Sequence, residues 1–221
     1  MYRSSVRRTR SSSASTSTEP PILRFYGLGV RYEGVDRRVN PRRGVRLRVQ
    51  VEQGQKDRTG RRIAAAGDTV RTKKTLRQER LRGQGRGFVP LFDRHVLVLG
   101  GDATVLRSRA YDRSDLFRLG GAESLRGYDE DRFRGNVAVR GLLEYRLQLD
   151  RRSYAYAFGD LGYVARPALG QSSATRDWHP GYGIGIQLQT AIGRITTTYA
   201  LNPEVATPVN GRIHFGLSVG L

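Results

Sequence analysis

The sequence predicts an all-β fold, an antiparallel transmembrane β-barrel with about nine strands present. Three observations predict it. Apolar and polar residues alternate with period two over much of the chain. The clearest case is 45–53, where Val45, Leu47, Val49 and Val51 alternate with Arg46, Arg48, Gln50 and Glu52. The connections between such segments alternate in length. Those at 90–94, 150–153 and 191–193 read as tight, and those at 55–72, 109–135, 165–180 and 202–211 as long. Outer-membrane barrels sort their connections this way, with short periplasmic turns and longer external loops. Finally, no run of about 18 apolar residues occurs, so a membrane helix is excluded, whereas a barrel strand needs only alternate residues apolar.

Composition narrows the functional classes. Apolar residues make up 38% of the 221, low for a soluble core but sufficient for a barrel. The net charge is +19, from 39 Lys+Arg against 20 Asp+Glu. Such a balance suits nucleic-acid binding, but the charges are spread along the chain and alternate with apolar residues. We therefore expect no nucleic-acid partner and place the charges in the lumen, the loops and the headgroup zones, with outer-membrane lipid against the apolar faces. There are no cysteines, hence no disulfide framework. His95, His179 and His214 lack metal-ligand spacing, so no metal or other cofactor is expected. Ser124 sits in Gly-Ala-Glu-Ser-Leu, which is not a nucleophile elbow. No enzyme site emerges.

The elements follow in order. Segment 24–34 reads as a strand with Tyr26, Leu28, Val30 and Tyr32 on one face. A turn at 36–44 is marked by Asn40-Pro41 and Gly44. After the strand at 45–53 and the polar loop at 55–72, a third strand falls within 73–89. Its alternation is poor, because it is crowded with Arg and Gly, and its register is not legible. The fourth, 95–108, puts Leu97, Leu99, Ala103 and Val105 together. The fifth, 136–149, opposes Val137, Val139, Leu143, Tyr145, Leu147 and Leu149 to Arg140, Glu144, Arg146 and Gln148. The sixth is 154–164. The seventh, 181–190, turns Tyr182, Ile184, Ile186 and Leu188 outward. The eighth is 194–201 and the ninth 212–221, with Ile213, Phe215, Leu217, Val219 and Leu221 on one face.

The stretch around which these strands are organised is Leu119-Gly120-Gly121-Ala122-Glu123-Ser124-Leu125-Arg126-Gly127-Tyr128. Its glycines allow tight turns and close backbone approach. It lacks the Gly-Lys-Ser/Thr and following helix of a phosphate-binding loop. Its pattern resembles the arginine loop, [VL]-R-G-[FY], of the BamA/TamA superfamily of outer-membrane β-barrels, the bacterial surface antigen family. Gly141-Leu142-Leu143-Glu144-Tyr145-Arg146 is similar to that family's next strand motif, and Phe158-Gly159-Asp160-Leu161-Gly162 to the F-x-D-x-G of the strand after it. Asp36, Pro41 and Gly44 match its D-x-x-x-x-P-x-x-G turn.

The resemblance implies a sixteen-stranded barrel of which this chain supplies the C-terminal part, its loop joining the eleventh and twelfth strands. An open half-barrel leaves two unpaired edges, so we expect further strands upstream or closure by oligomerisation. Two domains are expected: a loop or disordered segment at 1–22, rich in Arg, Ser and Thr and without a signal peptide, and the barrel part at 23–221. The loop is expected to fold into the lumen, where Arg126 pairs with Asp160 and approaches Glu144. Strand phase agrees independently, since Asp160 shares a face with Phe158 and Gly162, and Glu144 lies on a charged face. The last strand resembles the family's C-terminal recognition signal, through Phe215, Leu217, Val219 and Leu221, although the family usually ends in Phe or Trp. The implied function is insertion, assembly or translocation of proteins at the outer membrane. Its partners would be unfolded outer-membrane protein clients and periplasmic or lipoprotein accessory subunits. A two-partner secretion exporter, the barrel of a patatin-like protein and a passive porin are the alternatives.

Overall fold

The computed structural model describes residues 22–63, 69–205 and 207–219. The expected segment at 1–22 and the terminal Leu221 lie outside them, apart from the backbone of Ile22. The strands are β1 (Ile22–Val35), β2 (Gly44–Ile63), β3 (Thr69–Phe92), β4 (His95–Ser108), β5 (Phe117–Leu119), β6 (Phe133–Gly135), β7 (Val137–Gln148), β8 (Tyr154–Arg166), β9 (Thr175–Gln189), β10 (Arg194–Leu201) and β11 (Arg212–Ser218). Nine of them form one antiparallel sheet in the order β1-β2-β3-β4-β7-β8-β9-β10-β11, and β5 and β6 form a small hairpin within the long loop. Neighbours in sequence are neighbours in space, as hairpin connections demand.

Side-chain phase sorts the sheet into two faces. Tyr26, Leu28, Val30, Val49, Leu99, Leu143, Ile184 and Phe215 stand exposed on the outer one. On soluble proteins contiguous apolar surface of this extent is rare, whereas lipid covers it in a barrel. The inner face carries Arg140, Glu144, Gln148 and Asp160, all buried. It also carries an apolar patch that the expected wet interior left out. Val96 and Val98 have no exposed surface and cluster with Phe88 and Leu142, with Val35 packed against them. The β1–β2 turn folds inward next to this patch. Asn40, at φ 48°, exchanges amide hydrogen bonds with Gln148 at 2.5 and 3.1 Å.

Three connections differ from expectation. The loop read at 55–72 is largely strand, since β2 and β3 pair from Gly44↔Phe88 to Ile63↔Thr69. About 9–11 residues suffice to cross a bilayer. A strand pair of 20 and 24 residues therefore continues far beyond it, carried by its backbone ladder. The turn read at 90–94 shrinks to Asp93 and Arg94, and of the loop read at 165–180, residues 165–166 belong to β8 and 175–180 to β9. The poor alternation of β3 also has a physical cause. Its outer positions include Gly83, Gly85 and Gly87, so no side chain reports the face, while Gln78, Arg80, Gln84, Arg86 and Phe88 occupy the inner one. The short connections at 36–43, 93–94, 149–153 and 190–193 lie at one end of the sheet. The end of β2 at Ile63 and the start of β3 at Thr69 lie at the other, with the connections that follow β4, β8 and β10.

Candidate functional site: the loop anchored in the lumen

The long loop between β4 and β7 returns along the inner face of the sheet, in contact with β7 and β8. Its tip is shaped locally. Gly120 and Gly121 take φ of 125° and 109°, accessible to glycine at little cost. Gly121 N donates to the Leu125 carbonyl at 3.1 Å, and Ser124 Oγ accepts from Gly120 N at 2.9 Å. This turn drives Leu125 into a cluster with Leu119, Tyr128, Val164 and Phe133. Gly127, at φ 93°, then reverses the chain between Arg126 and Tyr128.

The guanidinium of Arg126 projects onto β7 and β8. Its Nε and Nη2 donate to the two oxygens of Asp160 at 2.8 and 2.7 Å, and its Nη1 to Glu144 Oε1 at 2.6 Å. Glu144 Oε2 is taken by Arg146, at 2.9 and 2.7 Å. Two cations thus face two anions, and every carboxylate oxygen is engaged. The planar fork supplies bidentate donors at fixed spacing, which an ammonium group does not. Arg126 is 6% exposed and Asp160 3%. The Arg126 guanidinium also lies 3.6 Å from the centroid of the Phe158 ring, a cation–π contact in a site largely removed from water. Burial disfavours the charge, but Asp160 and Glu144 outweigh it, so the Arg126 pKa is raised.

Further groups fasten the loop backbone. Arg140 bridges Asp102 of β4 and the Ser124 carbonyl. Tyr128 donates its hydroxyl to the Pro180 carbonyl at 2.9 Å. Asn202 Nδ2 donates to the Gly127 carbonyl at 2.5 Å, and His214 Nε2 accepts from Gly127 N at 3.3 Å. Arg212 of β11 forks onto Asp129 at 2.7 and 3.0 Å. At the far side of the trough, fully buried Lys56 of β2 donates to Asp112 and Asp115, each at 2.6 Å. The strands leave room for the loop: a Cβ on Gly181 would overlap the Arg126 carbonyl, and one on Gly162 would crowd Leu125.

The structure brings together Gly120, Gly121, Leu125, Arg126, Gly127, Tyr128, Glu144, Phe158, Asp160 and Gly162. Phe215 and Leu217 stand apart, exposed on β11, and Val219 is exposed just beyond it. Sequence reasoning missed Lys56, Arg140, Arg146, Gly181, Asn202, Arg212 and His214 as anchors. The alternation of β7 offered a signal for Arg140 and Arg146, which share the face of Glu144. Among the described residues the three histidines do not converge, and no group of His, Asp and Glu has the arrangement of a metal centre.

An antiparallel sheet with an apolar outer face and an inward-folded, arginine-locked loop defines an outer-membrane-type β-barrel of BamA-like architecture. The family follows from comparison: the model of the Omp85 superfamily domain matches residues 2–219, and the chain belongs to that superfamily. Among solved structures, BamA from Haemophilus ducreyi lacking POTRA domains 1–3 superposes with a TM-score of 0.64 at 17% identity. The match covers 86% of this chain and 41% of that one, so this chain spans less than half of its structural relative. No curated protein matches it.

Proposed function

We propose that this chain is part of an outer-membrane barrel that inserts, assembles or translocates proteins, with unfolded outer-membrane proteins as clients and lipoprotein or periplasmic subunits as accessories. One observation carries the reading. The loop is locked into the lumen by Arg126 and is tied to the wall from Lys56 on β2 to Arg212 on β11. A passive porin keeps an aqueous channel, whereas here a long loop lies along the inner face, with Asp112 and Asp115 paired to Lys56 and Asp129 to Arg212. Strand β11 pairs with β10 alone among the described residues. Its other edge offers the unpaired backbone groups on which a client strand could be templated.

The test is reconstitution of the full-length protein in lipid vesicles with a fluorescently labelled client barrel. Arg126→Ala is expected to slow client folding about tenfold or more, the scale of losing charge-assisted hydrogen bonds. Client folding at the wild-type rate, with the variant itself folded, would refute the assignment.

A further inference from the structure

Beside the lumen site, at the long-loop end, lies a cavity of about 510 Å³. It is a half-open cleft bounded by the 111–116 segment, the β5–β6 hairpin and the 167–172 loop, with Arg113 exposed at its mouth, and shares no residue with the Arg126 cluster. Four arginines line it: Arg113, Arg132, Arg134 and Arg166. Arg132 is occupied, donating to Glu204 at 2.6 Å. The one carboxylate on the walls, Asp112, is held by Lys56. Arg113, Arg134 and Arg166 have no side-chain partner among the described residues, and Arg166 Nε is out of contact with solvent without an acceptor. A buried donor left unmade is costly, and three like charges around one cavity repel.

We propose that this cavity is a binding site for a phosphate ester, taken from a phosphorylated glycolipid headgroup or from a soluble phosphate. The chain itself shows why phosphate fits better than carboxylate. At its fullest in this chain a single carboxylate, that of Asp102, takes the forks of two arginines, Arg86 and Arg140. Three unoccupied forks exceed what two oxygens accept, and match a phosphate, which presents three. The volume exceeds one phosphate group and leaves space for the sugar or second phosphate attached to it. Leu116 and Leu169 provide apolar wall on which such a group can rest.

The experiment is calorimetric titration of the full-length protein in neutral detergent with inorganic pyrophosphate at fixed ionic strength. Arg134→Gln and Arg166→Gln are each expected to weaken binding about tenfold, while Arg151→Gln at the opposite end leaves it unchanged. Arg134→Lys with Arg166→Lys keeps the charge and loses the forks, and is expected to weaken binding as well. Heat-modifiable electrophoretic mobility checks that each variant is folded. Wild-type affinity in the Lys double variant would reduce the effect to the general charge of the protein and overturn the site. Displacement of pyrophosphate by a polyglutamate peptide of equal affinity would overturn the ligand class. Micelles doped with a phosphorylated glycolipid, against its dephosphorylated form, separate the sources. Competition only by the former supports the headgroup, and its absence alongside arginine-dependent pyrophosphate binding supports the soluble ester.

Discussion

Arg126 illustrates how a single side chain fixes the position of a long loop. Its three donor nitrogens meet three carboxylate oxygens, and its face meets Phe158. Such buried pairs are weak evidence of net stability, but breaking one leaves unpaired buried charge at about 3–5 kcal/mol. Arg126→Ala is therefore expected to destabilise the folded protein by that amount in urea unfolding from micelles. Adding Asp160→Ala is expected to cost much less than the sum of the single effects, because the cluster acts as a unit. Additive losses would show that the two side chains do not depend on each other. Arg126, Glu144 and Asp160 were legible in the sequence because a loop motif and strand phase agreed on them. Gly181, Asn202 and His214 were not. They act on the loop backbone, and a contact to a carbonyl or amide leaves no complementary residue type to read.

At the scale of the element, the loop depends on the space the strands leave for it. Gly181→Ala puts a methyl group into the Arg126 carbonyl, whereas a methyl at Gly83 meets nothing within 4 Å. Limited proteolysis of the 109–135 loop is the measurement: Gly181→Ala is expected to expose it, and Gly83→Ala to leave it protected. The overpacking cost is about 1–3 kcal/mol. Equal protection in both would remove the close approach from the account. The same loop has a pH-dependent tie. Arg212, by its hydrogen bonds, holds the Asp129 carboxyl below the usual carboxylate range. A lowered folded pKa means the contribution is present above the ordinary value of about 3.9 and is lost as pH falls through the depressed one. Carboxyl NMR of Asp129 is expected to titrate below the ordinary value, and at that value in Arg212→Gln. Strand boundaries were legible where turns carry Pro, Gly or Asp-Arg signals, as at 95–108 and 194–201. The outer ends of β2 and β3 were not, because an extended ladder of polar residues reads as a loop.

On the whole-molecule scale, the sheet divides lipid from lumen by alternation alone. Leu143→Arg, in mid-strand on the outer face, is expected to destabilise the protein by about 2–4 kcal/mol in lipid. The inner face is less uniform than alternation implied. The Val96–Val98–Leu142 patch stayed hidden in the sequence, because Leu97 and Leu99 beside it form an equally apolar face. The most direct test of the bilayer assignment is a nitroxide scan of Val137–Gln148 in vesicles, in a chain that contains no native cysteine. Oxygen accessibility is predicted to peak at Val139, Leu143, Tyr145 and Leu147 and to fall at Arg140, Leu142, Glu144 and Gln148. A flat profile, or one with the phases exchanged, would contradict it.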